Sequence, residues 1–259
     1  MTHRFFIARI FVACVLTLAA LLVAGSGSVS AQGQGQIYVL ESTATGVKAG
    51  TAYAMGDRIA VPAGASVRVV TPSGKTLTIK GPYTGTGAEL AQGQKANDGV
   101  IAWIKNLVQT GGSNEKTPGA TRSMRASEPP AVFSWTDVPT TIDSTICIEN
   151  GAKLQLRRAV AQAADRITVV DLTTAQRAEV EFAAGSQTAA WPAGVTPRAD
   201  GAYTLLAPEN RPRRQVTLRV LNRLPGEDDV LAELAARECR YQFDAWVKEK
   251  LAADKRKAS

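Results

Sequence analysis

The chain has 259 residues, above the usual single-domain size, so more than one domain is expected. Its 30 Lys and Arg against 23 Asp and Glu give a formal charge of +7. That excess is mild and no aromatic residues interleave with the basic ones, which argues against nucleic acid as a partner.

Residues 1–10 carry Arg4 and Arg9 with no acid, and 10–24 is an apolar run of about fifteen residues. This is shorter than the roughly 20 residues a membrane-spanning helix needs. Val29-Ser30-Ala31 places small side chains at the positions before a cleavage site, so 1–31 reads as a signal peptide cut between Ala31 and Gln32. The alternative is a retained anchor, with Phe5, Phe6 and Ile7 extending the run while Arg9 snorkels. Cleavage removes His3 and Cys14 and leaves 28 Lys and Arg against 23 Asp and Glu, a charge of about +5. With no histidine left, Ser-His-Asp and Cys-His catalysis and histidine zinc sites are excluded in their usual forms. Neither a metal nor another cofactor is expected.

From 37 to 79 the chain alternates apolar and polar residues between Gly and Pro breaks, the pattern of strands and turns. Val67 and Val69 share a face, as do Leu77 and Ile79, around Thr71-Pro72-Ser73-Gly74, which predicts a hairpin. Beyond Asn97 the period changes. Val100, Ile101, Trp103, Ile104, Leu107 and Val108 recur at helical spacing, with Asn97 or Asp98 as cap and Gly111-Gly112 as terminator. Residues 112–130, rich in Gly, Ser, Thr, Pro and charge, read as a linker.

Eight short segments follow, at 132–135, 145–149, 153–156, 167–170, 178–182, 188–191, 203–206 and 216–221. Their spacing predicts an antiparallel sandwich of immunoglobulin-like architecture; the pattern leaves 158–164 undecided between helix and loop. After Pro225-Gly226 a helix is predicted over 228–251. Leu231, Ala235, Cys239, Phe243 and Trp246 form its apolar stripe, and Glu233, Arg237, Arg240, Asp244 and Lys248 lie on the other side. Glu227, Asp228 and Asp229 suit the positive end of its dipole.

Cys239 lies in that stripe, while Cys147 alternates with Ile146 and Ile148. If the isoleucines enter the sandwich, Cys147 faces outward, where a docked helix could reach it. A Cys147–Cys239 bridge suits an oxidising compartment; the alternative is two separately buried thiols. Ser113-Asn114-Glu115-Lys116 matches Ser-x-x-Lys but lacks the companion motifs. Gly74-Lys75-Thr76 lacks the first glycine of a phosphate loop and belongs to the hairpin. Glu179 and Glu181 share one face of a strand opposite Val180 and Phe182; they read as its wet side, with a carboxylate-dependent hydrolase as the remote alternative. Tyr53, Tyr83, Trp135 and Trp191 are either packing residues or a surface for stacking on sugars.

Within 46–83, Gly56-Asp57-Arg58-Ile59, Val61-Pro62-Ala63-Gly64-Ala65-Ser66-Val67, Ser73-Gly74-Lys75-Thr76-Leu77 and Gly81-Pro82 follow one another as glycine-bearing turns between short strands. On these residues the segment resembles the FecR-type domain of bacterial envelope proteins. The second half, with Cys147-Ile148-Glu149, Trp191-Pro192, Asp200-Gly201-Ala202-Tyr203 and Cys239, looks like a C-terminal region of exported proteobacterial proteins. The resemblance implies a β-rich, noncatalytic envelope module used in sensing or assembly. Family members that regulate sigma factors do so through a cytoplasmic portion; with only about ten residues before the apolar run, that direct mechanism is not expected here.

The expected organisation is a signal peptide at 1–31, a FecR-like β domain with a terminal helix at 32–111, a linker at 112–130, an immunoglobulin-like β-sandwich at 131–226, and a C-terminal amphipathic helix with a basic tail at 227–259. The expected role is a noncatalytic binding or interaction module in the periplasm, acting in signalling or assembly on an envelope protein or a cell-wall component. Membrane contact is peripheral unless the leader is retained. Cell-wall or polysaccharide binding is the alternative role.

Overall fold

The computed structural model describes residues 35–110, 132–159, 163–208 and 211–258. The Ala31/Gln32 cleavage site, the 112–130 linker and Ser113 to Lys116 lie outside them. The chain is mainly β, with antiparallel sheets and a C-terminal helix. No described helix is long and apolar enough to cross a membrane.

The first β module holds β1 (Gln36–Ser42), β2 (Ala52–Ala54), β3 (Arg58–Val61), β4 (Ser66–Val70), β5 (Thr76–Lys80) and β6 (Tyr83–Thr86). A four-stranded sheet in the order β2-β1-β4-β5 and a β3-β6 ribbon are both antiparallel. Ile37 and Val39 of β1, Val67 and Val69 of β4, Ile59 and Val61 of β3 and Ile79 of β5 bury one common core. The hairpin between β4 and β5 forms where its turn residues predict it. Thr71 and Ser73 hydroxyls donate to Gln94 Oε1, each at 2.6 Å, and Gly74 takes φ +87°.

A one-turn helix, α1 (Gly87–Leu90), opens on a capping box between Thr86 and Glu89. It is followed by α2 (Asp98–Thr110), where Asn97 Oδ1 accepts the Gly99 N–H at 3.3 Å. Val100, Ile101, Ile104 and Leu107 are buried as the period requires, whereas Val108 falls off the stripe and is 43% exposed.

The second module contains β7 (Asp137–Pro139), β8 (Ser144–Glu149), β9 (Gln155–Arg157), β10 (Asp165–Asp171), β11 (Arg177–Phe182), β12 (Thr188–Ala190), β13 (Ala202–Leu206) and β14 (Arg214–Leu221). A five-stranded sheet, β11-β10-β13-β14-β8, and a three-stranded one, β12-β9-β7, enclose one core. Ile146, Ile148, Leu156, Val169, Phe182, Tyr203 and Leu218 all contribute to it. The sandwich is not wholly antiparallel as expected: β14–β8 and β7–β9 are parallel. Neither pair is joined by a tight turn, so no hairpin constrains its direction. The segment expected as a strand at 132–135 is not one. Ser134 Oγ accepts the N–H groups of Thr136 and Asp137 and folds the chain there. In the undecided 158–164 stretch, the described residues are not helical.

The single helix expected over 228–251 is two, α3 (Val230–Ala236) and α4 (Arg240–Ala258). Cys239 N–H bonds to Leu234 O at 2.8 Å and Glu238 N–H to Ala235 O at 3.2 Å, with Glu238 at φ +61°. This is a Schellman stop. Glycine usually occupies its left-handed position, so a glutamate there conceals the break from a reading by composition.

Both helices and α2 bury a third core whose remaining walls are Tyr38, Leu40 and Val70 from the first module and Cys147 and Leu221 from the second. β1 therefore buries both faces, Ile37 and Val39 inward and Tyr38 and Leu40 toward the helices. Where length suggests two domains, the described residues from Gly35 onward form one compact unit. The helical layer joins the modules.

Candidate functional site at the junction of the modules

α4 lies against β1 and β8. Leu231, Ala235, Cys239, Phe243 and Trp246 are buried as their stripe requires, but Gln242, Ala245 and Val247 are buried as well, because two β surfaces grip the helix. Ile146 and Ile148 enter the sandwich core while Cys147, between them, turns to the helical layer. There it is joined to Cys239 by a disulfide, with Cα atoms 5.8 Å apart and a sequence separation of 92. Three residues beyond Cys239, in the first turn of α4, the buried amide of Gln242 completes the free edge of β8. Its Oε1 accepts the Cys147 N–H at 2.6 Å, and its Nε2 donates to Cys147 O and Ser134 O, each at 2.7 Å.

On the first-module side the β4–β5 turn meets α3 through backbone. Thr76 N–H donates to Asp228 O at 2.7 Å. A Cβ on Gly74 would stand 2.7 Å from Ala232 Cα, so only glycine permits this approach. Arg68 Nη1 reaches Glu227 Oε1 at 2.8 Å, Lys250 Nζ reaches the same oxygen at 2.9 Å, and both cations lie near the Trp246 ring. Lys250 and then Arg68 hold the Glu227 carboxyl below its ordinary range. The acidic run before α3 thus grips the first module as well as facing the helix dipole. Arg240 stacks 4.4 Å from the Trp103 ring of α2 and pairs with Asp244 at 2.9 Å. Asp244 was expected on the wet side. It is mostly enclosed, and burial pushes its carboxyl up against the opposing pull of Arg240. The sulfurs are bridged and these charges paired, so the chemistry the junction supports is holding two modules in one orientation.

The four candidate aromatics do not converge. Tyr53 and Tyr83 pack on the first-module core, Trp135 on the helical layer beside Phe133, and Trp191 on the sandwich core. Trp191 donates Nε1–H to Val195 O at 2.6 Å and meets Tyr203 edge to face. Glu179 and Glu181 stand on the exposed face of β11, where Arg166 pairs with both, at 3.3 Å for Glu179. That is a surface ion cluster on the wet face the alternation assigns.

Two polar clusters escaped the sequence reading because their residue types appear on most surfaces. Asp171 is buried, with its Oδ1 accepting from the Thr173 and Thr174 N–H groups and both oxygens held by Arg198. Burial pushes its carboxyl up, but those N–H groups and Arg198 outweigh it and leave the group below its usual range. Arg158, also buried, donates to the carbonyls of Ser186, Ala163 and Ala183 and ties loops together at one end of the sandwich. Among the described residues, no group of three or more His, Cys, Asp or Glu is placed to hold a metal ion. No family model matches the chain, and comparison with curated proteins and with solved structures likewise finds no match.

Proposed function

We propose that this chain is an exported, noncatalytic binding or interaction module of the bacterial envelope, acting in the periplasm on an envelope partner in signalling or assembly. In this reading the first β module is FecR-like and the sandwich is immunoglobulin-like. The observation that carries it is the buried Cys147–Cys239 bridge between β8 and the turn that leads into α4, because disulfides of this kind form and persist outside the reducing cytosol. The leader-like 1–31 segment supports the same compartment. A junction that fixes two β modules in one orientation suits a protein that presents a surface to a partner.

The test is proximity labelling from the chain in intact cells, combined with thiol trapping of Cys147 and Cys239 in fractionated envelopes. The expected result is an oxidised pair in the periplasmic fraction and a reproducible set of envelope neighbours. A reduced pair in the cytosolic fraction, or no specific neighbour, would overturn the proposal.

A further inference from the structure

We propose that β11 is a self-association edge, through which two copies of this chain pair antiparallel and continue their five-stranded sheets across a two-fold axis. β11 closes one side of that sheet. The Asp171 N–H donates to Gln176 O at 2.8 Å, and the pair continues the register in which Val169 faces Ala178 and Ile167 faces Val180. Hydrogen-bonded and non-bonded pairs alternate along an antiparallel ladder. Arg177, Glu179 and Glu181 therefore point their backbone N–H and C=O away from β10, toward the open side.

The side chains of these three residues are exposed. Arg166, one guanidinium, serves both Glu179 and Glu181, while Arg177 makes no ion pair among the described residues. Many edge strands carry charge simply to repel other strands. Here the charges complement themselves when the strand is reversed. With the two-fold axis at Glu179, Arg177 of each copy falls opposite the partner's Glu181, and the two Glu179 side chains face each other, a like-charge pair that Arg166 of each copy offsets. Arg166, shared by two carboxylates and nearer to Glu181 within one copy, then has only Glu179 to serve, while Glu181 of each copy meets the Arg177 guanidinium of the other and the outward backbone groups exchange hydrogen bonds. Such a contact is small, so the dimer belongs to the weak, concentration-dependent class.

This inference is independent of the compartment in which the chain works. Sedimentation velocity on the purified chain, from about 1 μM to about 1 mM, covers the affinity range of that class. The expected result is a reversible monomer–dimer equilibrium that weakens with salt. Glu179→Pro removes an outward N–H without touching the β10 ladder and should leave only monomer. Arg177→Glu should raise the dissociation constant about tenfold, and Arg177→Glu combined with Glu181→Arg should return it to within about threefold of the original. Arg177 is exposed, so an unchanged melting temperature checks that its variant is folded. A wild type that stays monomeric throughout overturns the proposal, and so does a dimer indifferent to both Glu179→Pro and Arg177→Glu.

Discussion

Gln242, only 1% exposed, offers the sharpest test of how α4 is bound to the sandwich. Its amide serves Cys147 N–H, Cys147 O and Ser134 O. Gln242→Ala leaves all three without that partner, the two groups of Cys147 in a buried site and the Ser134 carbonyl in a half-buried one, at about 1–3 kcal/mol for each buried group stranded and toward the lower end for carbonyls. The loss should total about 3–5 kcal/mol, which in a unit of this size lowers Tm by roughly 10 °C. Gln242→Glu discriminates further. One carboxylate oxygen still accepts the Cys147 N–H, but the other then faces carbonyl oxygens where Nε2–H stood. Burial and those oxygens raise its folded pKa above the ordinary value of about 4.3. The folded state then binds the proton more tightly than the unfolded one. The deficit of this variant against wild type should be smallest below pH of about 4 and grow as pH rises through the folded pKa. Urea unfolding across pH, with the disulfide intact, measures both. A Gln242→Ala loss under about 1 kcal/mol, no larger than an average substitution, would refute the edge-completing role. So would a Gln242→Glu deficit that does not change with pH.

Replacing Cys147 and Cys239 together by alanine opens a loop spanning 92 positions; the chain-entropy relation puts the loss at about 4.6 kcal/mol, measurable by calorimetry as a fall in Tm of roughly 9–18 °C. Gly74→Ala combines a positive φ with contact on the Ala232 backbone and should cost about 2–4 kcal/mol. Gly64→Ala, at φ +79° with nothing nearby, should cost only about 1–2 kcal/mol in the same urea series. Glu238→Gly relieves the left-handed residue between α3 and α4 and should stabilise the chain by about 0.5–1 kcal/mol; a neutral or destabilising result would mean that the glutamate side chain does more than mark the stop. Asp171 has a lowered folded pKa, so its contribution is complete above the unfolded value of about 3.9 and is lost as pH falls through the folded one. Asp171→Asn should lower stability at neutral pH and flatten the acid limb of the stability curve.

Most strands were legible because period two survives wherever one face is wet. Val67 and Val69, Ile167 and Val169, and Val180 and Phe182 all bury the face their alternation assigns. The same logic oriented Cys147, since a residue flanked by two inward isoleucines must face outward. What could not be read was the joining of the modules. Ile37-Tyr38-Val39-Leu40 is a continuous apolar run, the mark of a strand covered on both faces, yet a run this short does not say what covers it. Arg68 and Glu227, or Gln242 and Cys147, meet only after the chain has folded, and such residues resemble ordinary surface residues in sequence. A buried glutamine inside an amphipathic pattern reads as a gap in the stripe. It becomes intelligible only beside β8, whose unpaired N–H and C=O at Cys147 need a donor and an acceptor on one side chain. Among the helical residues facing that edge, Gln242 supplies both without introducing a charge. A buried polar residue at a helix–sheet junction is therefore better explained by the backbone groups it satisfies than by the helix that carries it.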